Sequence, residues 1–147
     1  MPRFSGLALA LALAALSTCS TASAVAAATA DSAAPAPPDR LTVTVTGDVA
    51  PSADGTFELI CHPAGGTHPA PRAACDRLDE LTTWGTDPFA PVPPESLCTM
   101  QYGGPATAHV TGTWAGRPVD AEFTRTDGCE IARWDSFAPL LPSAAGA

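Results

Sequence analysis

A strict alternation of apolar and polar residues marks the first regular part of the chain. Leu41, Val43 and Val45 alternate with threonines, as expected for a strand that buries one face and exposes the other. Residues 47–55 contain a proline and an Asp-Gly pair and therefore predict a loop. Residues 56–61 then predict a second strand.

A second alternating segment predicts a β-hairpin. Apolar and polar residues alternate over 105–114, the next dipeptide Ala115-Gly116 is a two-residue turn signal, and residues 117–126 return. Pairing across that turn places Val110 opposite Ala121 on one face. The register is therefore consistent with burial of that face.

One helix is predicted between the two strand regions, from about Arg72 to Thr83. Leu78 and Leu81 lie three residues apart, so they belong to one apolar stripe. Pro71 suits the first turn of a helix, and Gly85 is a candidate stop signal.

The flanking segments 62–71 and 84–96 are too rich in Pro and Gly for regular structure. Together the elements predict an α+β fold: an antiparallel sheet of four to five strands with one long helix, with or without a second, short one, against one face. We expect two disulfides to stabilise this fold.

The N-terminus has the features of an export signal. Arg3 is followed by an apolar run over 7–16 that is too short to span a bilayer, and small-residue cleavage sites follow between Ala24 and Ala30. The predicted organisation is a signal peptide over 1–30, a flexible Pro-rich arm over 31–40, a domain over 41–137 and a C-terminal tail over 138–147. The mature protein is expected to be extracellular, without a membrane segment.

Charge and cysteine content narrow the class of protein further. The formal net charge is −8, with 7 basic and 15 acidic residues, which argues against a nucleic-acid partner. After export four cysteines remain, and an even number outside the cell predicts two disulfides in one of three pairings. They are Cys61, Cys75, Cys98 and Cys129.

The chain carries no recognisable catalytic motif. The sequence has no Gly-x-Ser-x-Gly elbow, no His-Glu-x-x-His or Cys-x-x-Cys spacing and no Gly-rich phosphate loop. The histidines are His62 and His68, each followed by proline, and His109 on the polar face of a strand. We therefore expect neither an enzyme nor a metal or cofactor site.

The most informative stretch lies between the helix and the hairpin, over 93–105. Prolines precede it, Gly-Gly-Pro closes it, and Met100 stands two residues after Cys98. Such a segment cannot be helical, and we expect it to be extended and exposed, with one end held by a disulfide.

Several ordered motifs resemble the Streptomyces subtilisin inhibitor family. They are Gly-Thr-His-Pro-Ala-Pro at 66–71, Ala-Cys with a following Leu at 74–78, Cys-Thr-Met-Gln-Tyr at 98–102, Trp-Ala-Gly-Arg at 114–117, and Cys-Glu at 129–130. The resemblance extends from about Leu41 to Phe137. It implies a secreted protein inhibitor whose partner is a subtilisin-type serine endopeptidase, with a homodimer as the assembly.

The resemblance also implies the site. The disulfides would be Cys61–Cys75 and Cys98–Cys129, and the scissile bond would be Met100–Gln101. Flanking protease contacts would come from Leu97, Cys98 and Thr99 on the acyl side and from Tyr102 on the leaving-group side.

Three positions depart from the family pattern. Thr99 replaces the usual proline, which removes one φ restraint. Gln101 replaces an apolar residue. Asp127 stands where the family commonly has an Asn that supports the loop, and an ionised carboxylate cannot donate those hydrogen bonds. The resemblance therefore predicts a less rigid loop at this corner.

Two other functions remain open from the sequence. An exported cell-envelope binding module, lipidated at Cys19, would show no protease inhibition. In the third interpretation, the chain is a protease substrate or a partner that transglutaminase cross-links through Gln101.

Overall fold

The computed structural model describes residues 37–47 and 53–142. It contains five strands and two helices, and we number them in chain order. They are β1 (Asp39–Thr46), β2 (Gly55–Cys61), β3 (Gly65–Gly66), α1 (Pro71–Leu81), β4 (Thr107–Trp114), β5 (Arg117–Phe123) and α2 (Gly128–Ser136).

The five strands form one antiparallel sheet in the order β3-β2-β1-β4-β5. β1 is central because its alternating apolar side chains can pack beside those of both neighbours. Val43, which is fully buried, pairs with Phe57 of β2 and with Val110 of β4. The α+β prediction is confirmed.

The predicted hairpin forms in the expected register. Val110 pairs with Ala121 across β4 and β5. Ala115 and Gly116 have φ angles of 48° and 72°, and positive φ at both positions is what a two-residue type I′ turn requires. The turn therefore fixes which face of the hairpin enters the core.

Helix α1 spans Pro71–Leu81, with proline in its first turn as predicted. The predicted stop at Gly85 is wrong. The helix ends at Leu81 because the backbone of the C-cap residue Thr82 is extended, with a ψ of 99°. The Thr82 hydroxyl donates to the Leu78 carbonyl at 2.6 Å and so caps this end. The same hydroxyl accepts a bond from Trp114 Nε1 at 2.8 Å, which ties the helix end to β4.

The segment predicted to be wholly irregular, 62–71, contains the short strand β3. Gly66 makes this possible: its φ is 97°, and a Cβ there would overlap the backbone carbonyl of Glu58. The close approach lets the backbone N–H groups of Thr67 and His68 both donate to Glu58 O, at 2.8 and 3.0 Å.

The core lies on one face of the sheet, under both helices. α1 packs over β2 and β3, and α2 packs beside β5. Trp134 of α2 and Phe137 are buried here, and the Phe137 ring lies 4.7 Å from that of Phe123. The opposite face carries the threonines of the strands and faces solvent.

Residues on both sides of the range 41–137 also take part in the fold. β1 begins at Asp39, inside the predicted arm, and Leu140 and Leu141 of the predicted tail are buried in the core. The predicted signal peptide and the end of the tail lie outside the described residues. Within the described part of the chain, no helix is long and apolar enough to cross a membrane.

Candidate functional site

The 97–104 loop presents large apolar side chains to solvent. None of its residues belongs to a helix or a strand. Leu97 is fully exposed, and the exposed fractions of Met100 and Tyr102 are 97% and 65%. Apolar groups clustered on a surface are typical of a site that another molecule covers.

The N-terminal half of this loop is fixed to α2. The disulfide Cys98–Cys129 forms, with 5.3 Å between the two Cα atoms. One residue further on, the Thr99 carbonyl accepts a bond of 3.0 Å from the backbone N–H of Gly128. A side chain at Gly128 would overlap the Thr99 hydroxyl, so glycine permits this approach.

The C-terminal half is fixed at Gly103. Its N–H donates to the carbonyl of Arg125 at 2.8 Å, and its own carbonyl accepts from Arg125 Nε at 3.1 Å. A Cβ at Gly103 would lie 2.8 Å from Cγ1 of Ile131 in α2. Met100 and Gln101 are thus displayed between two anchored points, Thr99 and Gly103.

The sequence of this domain matches a known protein family. The sequence profile of a family described as subtilisin inhibitor-like matches residues 37–126, well over half of the chain. The chain belongs to the subtilisin inhibitor-like family. The family is one of protease inhibitors, which confirms the expectation that the chain is not an enzyme.

Individual relatives come from Streptomyces. Subtilisin inhibitor-like protein 1 of Streptomyces cacaoi is 40% identical over 85 residues, which are 55% of this chain and 74% of that protein. The subtilase-type protease inhibitor of Streptomyces fradiae is 38% identical over 91 residues, 60% of this chain and 63% of that one. Among solved structures, Streptomyces caespitosus sermetstatin in complex with Bacillus licheniformis subtilisin aligns with 31% identity and a TM-score of 0.42, covering 66% of this chain and 91% of that one.

Asp127 caps helix α2 in the structure. Its carboxylate accepts hydrogen bonds from the backbone N–H groups of Cys129 and Glu130, at 2.9 and 3.0 Å, and so caps the N-terminus of α2. Capping requires only an acceptor. The lack of a donor at this position therefore leaves the α2 terminus intact, and the loop is held by Gly128 and Arg125 instead.

The disulfide corner does not fit a metal centre. Within the described residues, Cys98, Cys129 and Asp127 bring ligand atoms within 4.8 Å of one another. Both sulfurs are joined in the disulfide, and thiolates are the form of cysteine that binds metal. The cluster is therefore a structural corner.

The three histidines serve as structural groups. His68 accepts from the backbone N–H of Ala70 at 3.1 Å, and its Nε2 bonds the Leu140 carbonyl at 3.0 Å. His109 bonds Asp120 at 2.7 Å across β4 and β5.

His62 lies between two carboxylates. Its ring nitrogens lie 3.2 Å from Asp79 of α1 and 3.1 Å from Asp39 of β1. The hydrogen bond to Asp79 raises the pKa of His62 above its usual value, burial opposes this, and Asp39 adds to the increase.

Arg125 is the residue of the site that sequence reasoning missed. It is only 7% exposed. A single Arg among threonines gives no sequence signal for burial, because charged residues are mostly exposed. Its role depends on Gly103, Asp135 and Trp134, which come together only in the folded chain.

Proposed function

We propose that the chain is a secreted inhibitor of subtilisin-type serine endopeptidases and that the 97–104 loop enters the protease cleft as a substrate. The proposed scissile bond is Met100–Gln101. The observation that carries the proposal is the combination of exposed apolar side chains with backbone anchors on both sides of that bond. Family membership supports it.

Binding would use the recognition mode of an extended peptide. Proteases bind a strand through backbone hydrogen bonds and place side chains in pockets. Met100 is long, flexible and apolar, which suits a wide apolar specificity pocket. A trypsin-like pocket contains an acid that favours Arg or Lys and would accept Met100 poorly. The remaining contacts would come from Leu97, Cys98, Thr99, Gln101 and Tyr102.

Inhibition would follow from the stiffness of the loop. A pre-ordered loop has already lost the conformational entropy that a flexible peptide loses on binding, so its affinity is higher. After cleavage, Cys98–Cys129 would hold the acyl half on α2 while the other half stays on the domain. The new amine would remain near the acyl-enzyme, and resynthesis of the peptide bond would compete with hydrolysis.

The protein is proposed to act outside the cell as a homodimer. An oxidising compartment suits its two disulfides. The resemblance implies pairing through a sheet face, and among the described residues the threonine-bearing side of β1 and β4 is exposed or half-buried. Sedimentation velocity of the purified domain tests the dimer, and a monomer at tens of micromolar would contradict it.

Titration of subtilisin with the purified chain tests the inhibitory function directly. We expect stoichiometric, active-site-directed inhibition, less effect on chymotrypsin and little on trypsin. Complete digestion of the oxidised protein at the rate of an unstructured peptide would overturn the proposal.

The substitution Met100→Lys tests the specificity residue. It should shift inhibition from subtilisin towards trypsin by at least about 10-fold in the ratio of inhibition constants, since a charge replaces an apolar group in the pocket. The matched control is Trp84→Lys, another fully exposed apolar residue, outside the loop. The assignment of Met100 fails if Met100→Lys and Trp84→Lys give the same profile.

A further inference from the structure

We infer that Arg125 is a positioning residue that holds the leaving-group half of the cleaved loop in place for resynthesis. The inference rests on the proposed function, because resynthesis of the cleaved bond is one step of the proposed inhibition. Arg125 is not placed to touch the protease; it would act through Gly103, two residues after Gln101.

Arg125 engages Gly103 through both main chain and side chain. The Arg125 carbonyl accepts from Gly103 N–H at 2.8 Å, and the Arg125 Nε donates to Gly103 O at 3.1 Å. Both backbone polar groups of Gly103 are therefore satisfied by one residue. A hydrogen bond with a charged donor is stronger than a neutral one, and burial strengthens it further.

The guanidinium of Arg125 is itself held from two other sides. Its Nη1 donates to Asp135 Oδ1 at 2.9 Å, and its Cζ lies 5.6 Å from the centre of the Trp134 ring, at cation–π distance. Trp134 is buried, and its Nε1 donates to the Pro142 carbonyl. The anchor of Gly103 is therefore part of α2 and of the core beneath it.

The chemistry shows why the anchor matters. Cleavage breaks the Met100–Gln101 peptide bond, joins the Met100 carbonyl carbon to the protease serine oxygen, and leaves a free amine on Gln101. In resynthesis that amine attacks the ester carbon, the serine oxygen leaves, and the amine proton passes to the protease base. In hydrolysis a water molecule attacks instead. The outcome depends on how close the amine stays.

The length of the tether sets that distance. With Gly103 held, two residues separate the amine from its anchor, a reach of about 7 Å at about 3.5 Å per residue. Complete release of Gly103 would leave Ala106 as the next buried residue, and the reach would grow to about 17 Å. The accessible volume grows at most as the cube of the reach, so about 10-fold is the upper limit for the fall in the effective concentration of the amine.

The experiment compares Arg125→Gln with Arg133→Gln. Arg133 is a matched control: its side chain is largely buried, stacks on Phe123 and donates to backbone carbonyls. Those carbonyls belong to Phe89, Ala90 and Glu122, outside the 97–104 loop. Each variant is mixed with subtilisin, and mass spectrometry follows the gain of one water at Met100–Gln101 alongside the inhibition constant and Tm.

Arg125→Gln removes the Nε bond to Gly103 O but keeps the backbone bond from Gly103 N–H to the carbonyl of residue 125. We therefore expect it to accumulate the cleaved form several-fold, and at most about 10-fold, faster than the parent chain, and to shift the equilibrium ratio of cleaved to intact inhibitor in the same direction. Arg133→Gln should lower Tm but leave cleavage within about 2-fold of the parent. Arg125→Lys keeps the charge without the fork that reaches both Gly103 and Asp135, and should fall between parent and Arg125→Gln.

The outcomes separate the inference from the function that underlies it. If the parent chain inhibits and Arg125→Gln is cleaved at the parent rate, or if Arg133→Gln is cleaved equally fast, the inference is wrong while the proposed function stands. If the parent does not inhibit, both are wrong. Should Arg125→Gln fail to fold, Asp135→Asn releases the far end of the same guanidinium and must accelerate cleavage for the inference to survive.

Discussion

Two glycines allow the 97–104 loop to lie directly on helix α2. A side chain at Gly128 would overlap the Thr99 hydroxyl, and one at Gly103 would press on Ile131 and on Cβ of Arg125, at 3.1 Å. Each glycine lets a backbone group reach its partner at about 3 Å. At the residue scale, hydrogen bonds between closely packed backbone segments hold the loop. They take the place of the restraint on φ that a proline would give at the position of Thr99.

The N-cap of α2 gives a prediction for a single residue. Asp127→Asn should change the free energy of unfolding by only a few tenths of a kcal/mol, because the amide oxygen can still accept from Cys129 and Glu130 N–H. Asp127→Ala should cost about 1 kcal/mol, since both donors lose their partner. Urea denaturation measures the difference, and equal losses in the two variants would contradict the capping role.

At the scale of the elements, two disulfides and one arginine link the helices to the sheet and the loops. Cys61–Cys75 joins the end of β2 to α1, and Cys98–Cys129 joins the 97–104 loop to α2. In the chain-entropy model, loops of these sizes contribute about 3 and about 4 kcal/mol. Arg133 adds a third link between α2, β5 and the Pro-rich connection; burial lowers the pKa of its guanidinium, and Glu130 opposes this change.

A pH-dependent link joins β1 and α1 through His62, which directly follows β2. Asp79 and Asp39 raise the pKa of His62 in the folded chain above the value of about 6.5 that it has when unfolded. The added stability is therefore fully present below pH 6.5 and is lost as the pH rises through the folded pKa. Because His62 is half-exposed, the effect should stay below about 1 kcal/mol.

The substitution His62→Asn tests this link, since Asn tolerates the φ of 59° at this position. We expect the free energy of unfolding of the parent to decline from pH 6 to pH 8 and that of His62→Asn to decline less. His109→Asn is the control, because it removes the other exposed histidine–carboxylate pair. The link is absent if both variants keep the parent's pH dependence.

At the scale of the whole molecule, one face of the sheet forms the core and the loop is supported beside it. Every buried side-chain polar atom in the described residues has a hydrogen-bond partner, including the buried Arg125 and His68. Small domains bury a modest apolar area, and the two disulfides supplement it. The rigidity that inhibition would need is thus a property of the domain and of its cross-links together.

The local sequence was sufficient for the periodic elements. Alternation predicted β1, β4 and β5, and the spacing of Leu78 and Leu81 predicted α1, because each pattern reflects a repeat along the chain itself. The stop of α1 at Thr82 was missed because a side chain from β4 completes that cap. Strand β3 was missed because its two residues are glycines, which give no apolar pattern in the sequence. They form a strand only by pairing with β2 in the folded chain.

By itself the sequence determined four of the five strands, the main helix, the number of cross-links and, through its resemblance to a family, the place of the exposed loop. Only the tertiary structure decided what holds that loop: Gly128 on one side and Arg125 on the other, backed by Asp135 and Trp134. The physical reason is distance along the chain. Periodicity records how a segment meets the core, whereas a hydrogen bond between residues 103 and 125 exists only once folding has brought the two segments together.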